Sequence, residues 1–152
     1  AASQSATALR PSTLTETIRA GEGPMFGPGH DESHYISVPI QQYYSLDGVG
    51  NVGVCHMEPG DETVVFGIET EDDGTAPHHY GPCDEFYYVL DGEFTVWWGT
   101  DAAALDNHFV LHPGDCTHYT TGWKYKVKNT GDGPARFFYF LTNPPGIERR
   151  FD

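Results

Sequence analysis

The chain has 152 residues, of which 38% are hydrophobic, and a formal charge of −14 at pH 7. That length suits one domain with its own core, needing no disulfide or structural metal for stability. The acidic excess argues against a nucleic-acid partner and an anionic membrane surface, both of which it would repel, and no stretch approaches the ~20 apolar residues of a membrane span.

Residues 1–34 are polar and irregular, with a Gly/Pro-rich stretch from Gly21 to Gly29. They read as an N-terminal arm that packs on the domain or on a second subunit. No apolar signal-peptide core is visible in residues 1–10. From Tyr35 onward short β-type runs recur: 35–40, 42–46, 52–58, 63–69, 86–90, 94–98, 109–112, 116–120, 124–129 and 136–141. Between them lies turn chemistry, as in Asp47-Gly48, Pro59-Gly60-Asp61, Asp91-Gly92 and Pro113-Gly114-Asp115. Short strands, regular turns and no helical period predict an all-β sandwich or barrel over residues 35–142, followed by a Pro-rich, charged tail at 143–152.

One strand declares its orientation. In Trp123-Lys124-Tyr125-Lys126-Val127-Lys128-Asn129 the lysines alternate with Trp, Tyr, Val and Asn. Period two places the lysines on the outer face, toward solvent or acidic neighbours, and points Tyr125 inward.

The chemistry concentrates in Pro77-His78-His79-Tyr80-Gly81-Pro82-Cys83-Asp84-Glu85, which leads into Phe86-Tyr87-Tyr88-Val89-Leu90-Asp91-Gly92. On a strand, His78 and Tyr80 share one face, and Glu85 opens the next strand after a short loop. Polar groups converging inside a barrel are costly unless they bind a ligand or one another.

The spacing resembles the first cupin motif, His-x-His, then three or four residues, Glu, six residues and Gly. His78 and Glu85 match, Tyr80 stands where the second His belongs, Gly92 closes the motif, and the opening Gly is displaced to Gly74. The second motif is also present. Gly114-Asp115 opens it, Thr120 replaces its Pro, Gly122 matches, Tyr125 replaces its His, and Asn129 matches. The resemblance covers roughly residues 50–142. It implies a cupin, or double-stranded β-helix, fold: a jelly-roll-like antiparallel barrel with one interior small-molecule site.

Cupins host many chemistries, so the site must decide. Its centre is expected at His78, Tyr80, Glu85 and Tyr125, with Tyr87, Trp98, His118 and His56 lining the pocket. Three readings stay open. A metal-free acid/base site would have His78 titrating near neutrality, Glu85 orienting it, and Tyr80 and Tyr125 donating to an oxyanion. It would suit a dehydratase, isomerase, cyclase or lyase. A metal-dependent dioxygenase or other oxidoreductase would hold Fe, Mn, Ni or Zn on His78 and Glu85, although Tyr in place of two ligand histidines weakens it, because a neutral phenol is a poor ligand. The third reading is a non-catalytic binding protein.

The remaining expectations are a small, aromatic-compatible substrate, no favoured cofactor and a homodimer. Cys55, Cys83 and Cys116 form no CxxC pair and read as free thiols in a reducing compartment. A cytoplasmic location follows, with secretion left open because the sequence does not begin with Met.

Overall fold

The computed structural model describes residues 25–26, 40–46, 50–68, 79–80 and 83–142. Their eleven strands are β1 (Met25–Phe26), β2 (Ile40–Leu46), β3 (Gly50–Met57), β4 (Phe66–Ile68), β5 (His79–Tyr80), β6 (Glu85–Asp91), β7 (Phe94–Gly99), β8 (Asn107–Leu111), β9 (Cys116–Tyr119), β10 (Lys124–Asn129) and β11 (Ala135–Thr142). Among the described residues there is no helix, and so none long and apolar enough to cross a membrane.

The strands form two sheets, β1-β2-β3-β11-β6-β9 and β5-β4-β10-β7-β8. From β6 onward every connection except β7–β8, an antiparallel pair within one sheet, changes sheet, so the other consecutive strands lie in opposite layers. This is the expected all-β cupin architecture. Pairing is antiparallel except at β4–β5, which run parallel with Gly67 opposite His79 and Ile68 opposite Tyr80.

Strand alternation builds the core. In β6, Glu85, Tyr87 and Val89 are buried while Phe86, Tyr88 and Leu90 are exposed. Tyr125, Val127 and Asn129 of β10 are buried, whereas its three lysines face outward, Lys126 Nζ lying 2.6 Å from Glu62 Oε1. In β11, Phe137 and Tyr139 fill the space between the sheets, but Phe138 and Phe140 take the outer face. The aromatic run therefore supplies both faces, as the two-residue period requires.

Two motif residues are structural. Gly92 turns the chain between sheets with φ of +81°, and a Cβ there would lie 2.2 Å from Ala135 Cβ. Neither that backbone nor that contact suits another residue. Asn129 is 1% exposed and donates through Nδ2 to Met57 O and Gly133 O, each at 2.9 Å, while its Oδ1 accepts from Gly131 N at 3.0 Å. One buried amide thus ties β10 to the end of β3 and to the turn before β11.

Candidate functional site

Glu85 begins β6 with Tyr119 of β9 and Leu141 of β11 directly opposite it on either side. Asp84 anchors this strand end: its N–H donates to Thr142 Oγ1 at 2.8 Å, and Thr142 N–H returns a bond to Asp84 O at 2.8 Å. The Glu85 side chain enters the interior and is 6% exposed. From the other sheet, Tyr125 sits in β10 between Phe66 and Trp98 and is fully buried. Its hydroxyl donates to Glu85 Oε2 at 3.1 Å.

Tyr87 lies one inward position along from Glu85 and hydrogen-bonds to the same carboxylate. Tyr119 completes the group, its ring stacked on Tyr125 with centroids 4.0 Å apart and planes at 16°, and edge-on to Tyr87 at 4.9 Å. Burial, reinforced by the Glu85 charge, pushes the Tyr87 phenol well above its ordinary value. Burial does the same for Tyr119, eased by the Thr117 side chain and raised further by Glu85. These phenols therefore stay protonated at working pH and act as donors, not as bases. The thiol of Cys55, fully buried, is pushed far up by burial and by Glu85, which leaves it inert as a nucleophile.

Among the described residues the interior thus holds one carboxylate amid protonated phenols. Cupins commonly carry a divalent metal, and these described donors by themselves do not suit one. Among the described residues no three His, Cys, Asp or Glu side chains are grouped to hold an ion. The phenols beside Glu85 would have to lose protons that burial makes hard to remove.

Of the residues expected from sequence, Glu85, Tyr125 and Tyr87 come together. Trp98 faces the core half-buried, against Trp123 at 4.3 Å between centroids. Tyr80 occupies the register position beside Ile68 in β5, and His78 lies outside the described residues.

Two pocket expectations are corrected. His118 is on the outer face of β9, stacked on Phe86 at 4.7 Å, with Nε2 2.8 Å from Asp84 Oδ1. That bond is the main reason the Asp84 carboxyl is held below its ordinary value, against a small opposing effect of burial. His56 lies on the outer face of β3 opposite Arg136, because Cys55 and Met57 take the inward positions. Partial burial and then the Arg136 charge lower its pKa.

Sequence reasoning missed Tyr119. Its sequence signal was the two-residue spacing from Thr117, but only its register opposite Glu85 brings it to the carboxylate.

The comparisons agree with this architecture. A family model described as "Cupin domain" matches residues 53–141. A predicted oxalate decarboxylase from Thermotoga maritima superposes with a TM-score of 0.60 at 14% identity, covering 84% of this chain and 99% of its own. An uncharacterized conserved protein with a double-stranded β-helix domain from Klebsiella pneumoniae gives 0.59 at 16% identity, with 91% of this chain and 93% of its own covered. A sugar phosphate isomerase from a cupin superfamily, from Silicibacter pomeroyi, gives 0.51 at 20% identity over 68% of this chain and 58% of its own. Comparison with curated proteins by sequence finds no match. At these identities the structural likenesses speak for the fold alone, but the family match, the two interleaved sheets and the two motifs agree: the chain belongs to the cupin family.

Proposed function

We propose that the protein is a small-molecule enzyme of the lyase or isomerase type, working by acid/base chemistry inside the cupin barrel. The observation that carries this reading is the bond from the Tyr125 hydroxyl to Glu85 Oε2, 3.1 Å long and sealed from solvent between the sheets. A carboxylate in an apolar interior is costly unless it is used or fully paired. Among the described residues, Tyr125 and Tyr87 donate to it.

The chemistry follows from these roles. Glu85 takes a proton from a carbon next to a carbonyl group. The electron pair of that C–H bond moves to the carbonyl oxygen, where a phenol hydroxyl stabilises the developing charge. Returning the proton to a different carbon completes an isomerisation, and expelling a β-hydroxyl as water completes a dehydration. His78 is placed by the motif as a second acid or base for this relay. Two structural neighbours are named as a predicted oxalate decarboxylase and a sugar phosphate isomerase, but at 14% and 20% identity they bear on the fold and not on the reaction. A metal-dependent oxidoreductase and a purely ligand-binding protein are the competing readings.

We place the protein in the cytoplasm as a homodimer. Its three free cysteines, two of them buried, suit a reducing compartment. The exposed Phe86, Tyr88 and Leu90 on the outer face of β6 offer apolar surface for a second copy.

The test is hydrogen exchange. The protein is incubated in D2O with a panel of ketones and β-hydroxyketones, and deuterium entering next to the carbonyl is followed by NMR. Exchange that disappears in Glu85→Gln supports the proposal. Exchange undiminished in that variant would sink it, as would tight binding of the panel without exchange.

A further inference from the structure

The outer face of the second sheet carries a cleft that the interior site does not use. Lys126 of β10 and Trp97 of β7 are cross-strand partners. Both side chains point away from the core, because their neighbours Tyr125, Val127 and Val96 take the inward positions. Lys126 Nζ lies over the Trp97 ring, 5.6 Å from its centroid. Val65, Ala102, Ala103 and Leu105 complete the lining of a cleft of about 300 Å³. That volume stands at the lower end of the ~300–1,000 Å³ usual for small-molecule sites, so it suits a compact ligand.

The wall of the cleft is a fixed turn. Asp101 Oδ1 accepts from Ala103 N at 2.9 Å, and Ala104 N donates to Asp101 O at 3.0 Å. The turn closes onto the sheet because Gly99 has no side chain: a Cβ there would lie 2.6 Å from Ala104 O. A wall held by its own hydrogen bonds loses little freedom when a ligand arrives. The Asp101 carboxylate is spent on this turn, and none of the described residues lining the cleft is acidic.

The charge here is positive, in a chain whose formal charge is −14. All three lysines of the chain share this face of β10. Glu62 Oε1 is 2.6 Å from Lys126 Nζ and Glu62 Oε2 is 3.9 Å from Lys128 Nζ, so one carboxylate faces two ammonium groups. That trio keeps one net positive charge, and the Lys126 ammonium, with three donors, has capacity beyond its bond to Glu62. Acidic groups elsewhere are screened beyond ~8 Å at physiological salt, which leaves the local charge to govern an anion in contact. A ligand that uses both features has a flat apolar body for Trp97 and Leu105 and an anionic end for Lys126.

We propose that this cleft is a second small-molecule site, taking a flat aromatic carboxylate with its ring against Trp97 and its carboxylate on Lys126 Nζ. The sheet itself separates it from Glu85, since Tyr125 and Lys126 are consecutive and point to opposite sides. Binding here is therefore independent of the interior chemistry.

Cinnamate and its neutral amide, cinnamamide, are titrated calorimetrically into the full chain at pH 7. Cinnamate should bind about fivefold tighter than the amide, the scale of one partly exposed ion pair. Lys126→Met keeps the apolar stem and removes the charge. It should bring cinnamate down to the level of the amide and leave the amide unchanged. Ala103→Phe, at an exposed turn position, should fill the cleft and abolish binding of both probes. Glu85→Gln, inside the barrel, should change neither affinity. Circular dichroism checks that each variant is folded. No cinnamate binding to folded wild-type protein at millimolar concentration would overturn the proposal. Equal affinities for the two probes, cinnamate binding undiminished in Lys126→Met, or binding that survives Ala103→Phe would do the same. A loss of binding in Glu85→Gln would place the probe in the interior and also overturn it.

Discussion

Tyr125 and Glu85, on opposite sheets of the barrel, meet through a single buried hydrogen bond of 3.1 Å from phenol to carboxylate. The bond crosses the core, so it both orients the carboxylate and links the two layers. Its loss should therefore be felt in turnover more than in folding.

Tyr125→Phe removes only the donor and keeps the ring between Phe66 and Trp98. Turnover should fall about 100–1,000-fold, the usual effect of losing one positioned donor. Stability should fall by only about 1–3 kcal/mol, since the buried carboxylate loses one of its bonds. Steady-state kinetics alongside urea denaturation measures both. Wild-type turnover would reduce Tyr125 to a packing residue.

His78 lies outside the described residues and is assigned a role by its motif alone. His78→Ala should abolish turnover while leaving the melting temperature within a few degrees of wild type. Activity retained in that variant would leave Glu85 as the sole acid/base group.

Asn129 makes three hydrogen bonds at a buried position, so its role is structural. Asn129→Ala should cost about 2–4 kcal/mol, because the acceptors at Met57 and Gly133 lose a donor inside the protein. Substrate binding per folded molecule should be unchanged. Chemical denaturation monitored by tryptophan fluorescence provides the measure, and a loss below about 1 kcal/mol would contradict the clamp.

Acid should destabilise the fold through two groups of the same sign. The Asp84 carboxyl is held below its ordinary value chiefly by His118, so its contribution is present above that value and fades as pH falls through the lowered one. His56 is also lowered, from 6.5, by burial and Arg136. Below 6.5 the unfolded chain takes up the His56 proton first, and stability declines with pH. Melting temperatures from pH 7.5 to 4 should fall monotonically. His56→Gln should flatten the upper part of that fall, and His118→Gln the lower part. A melting temperature that rises on acidification would contradict both assignments.

Much of the fold was legible because alternation and turns are local properties. The runs at 94–98, 116–120 and 124–129 correspond to β7, β9 and β10 within a residue. The stretch 63–69 was read too long. The described strand there is Phe66–Ile68, while Thr63 is held against β10 by its N–H, which donates to Val127 O at 2.9 Å, and by its Oγ1, which accepts from Val127 N at 3.0 Å.

The sequence by itself determined the cupin fold, the inward aim of Tyr125 and the exposed lysines, since a strand with charges at alternate positions has only one face that can be buried. It also placed Tyr87 beside Glu85, two residues apart on one face. Tertiary structure alone decided which side of β9 faces the core. Cys116 and His118 compete there with Thr117 and Tyr119, and neither pair is forbidden inside. The pairing of Glu85 with Tyr119 settles it, turning His118 out to Asp84 and stacking Tyr119 against Tyr125. Composition can orient a strand only when its two faces differ in the cost of burial. Where they do not, register with the neighbouring strand makes the choice.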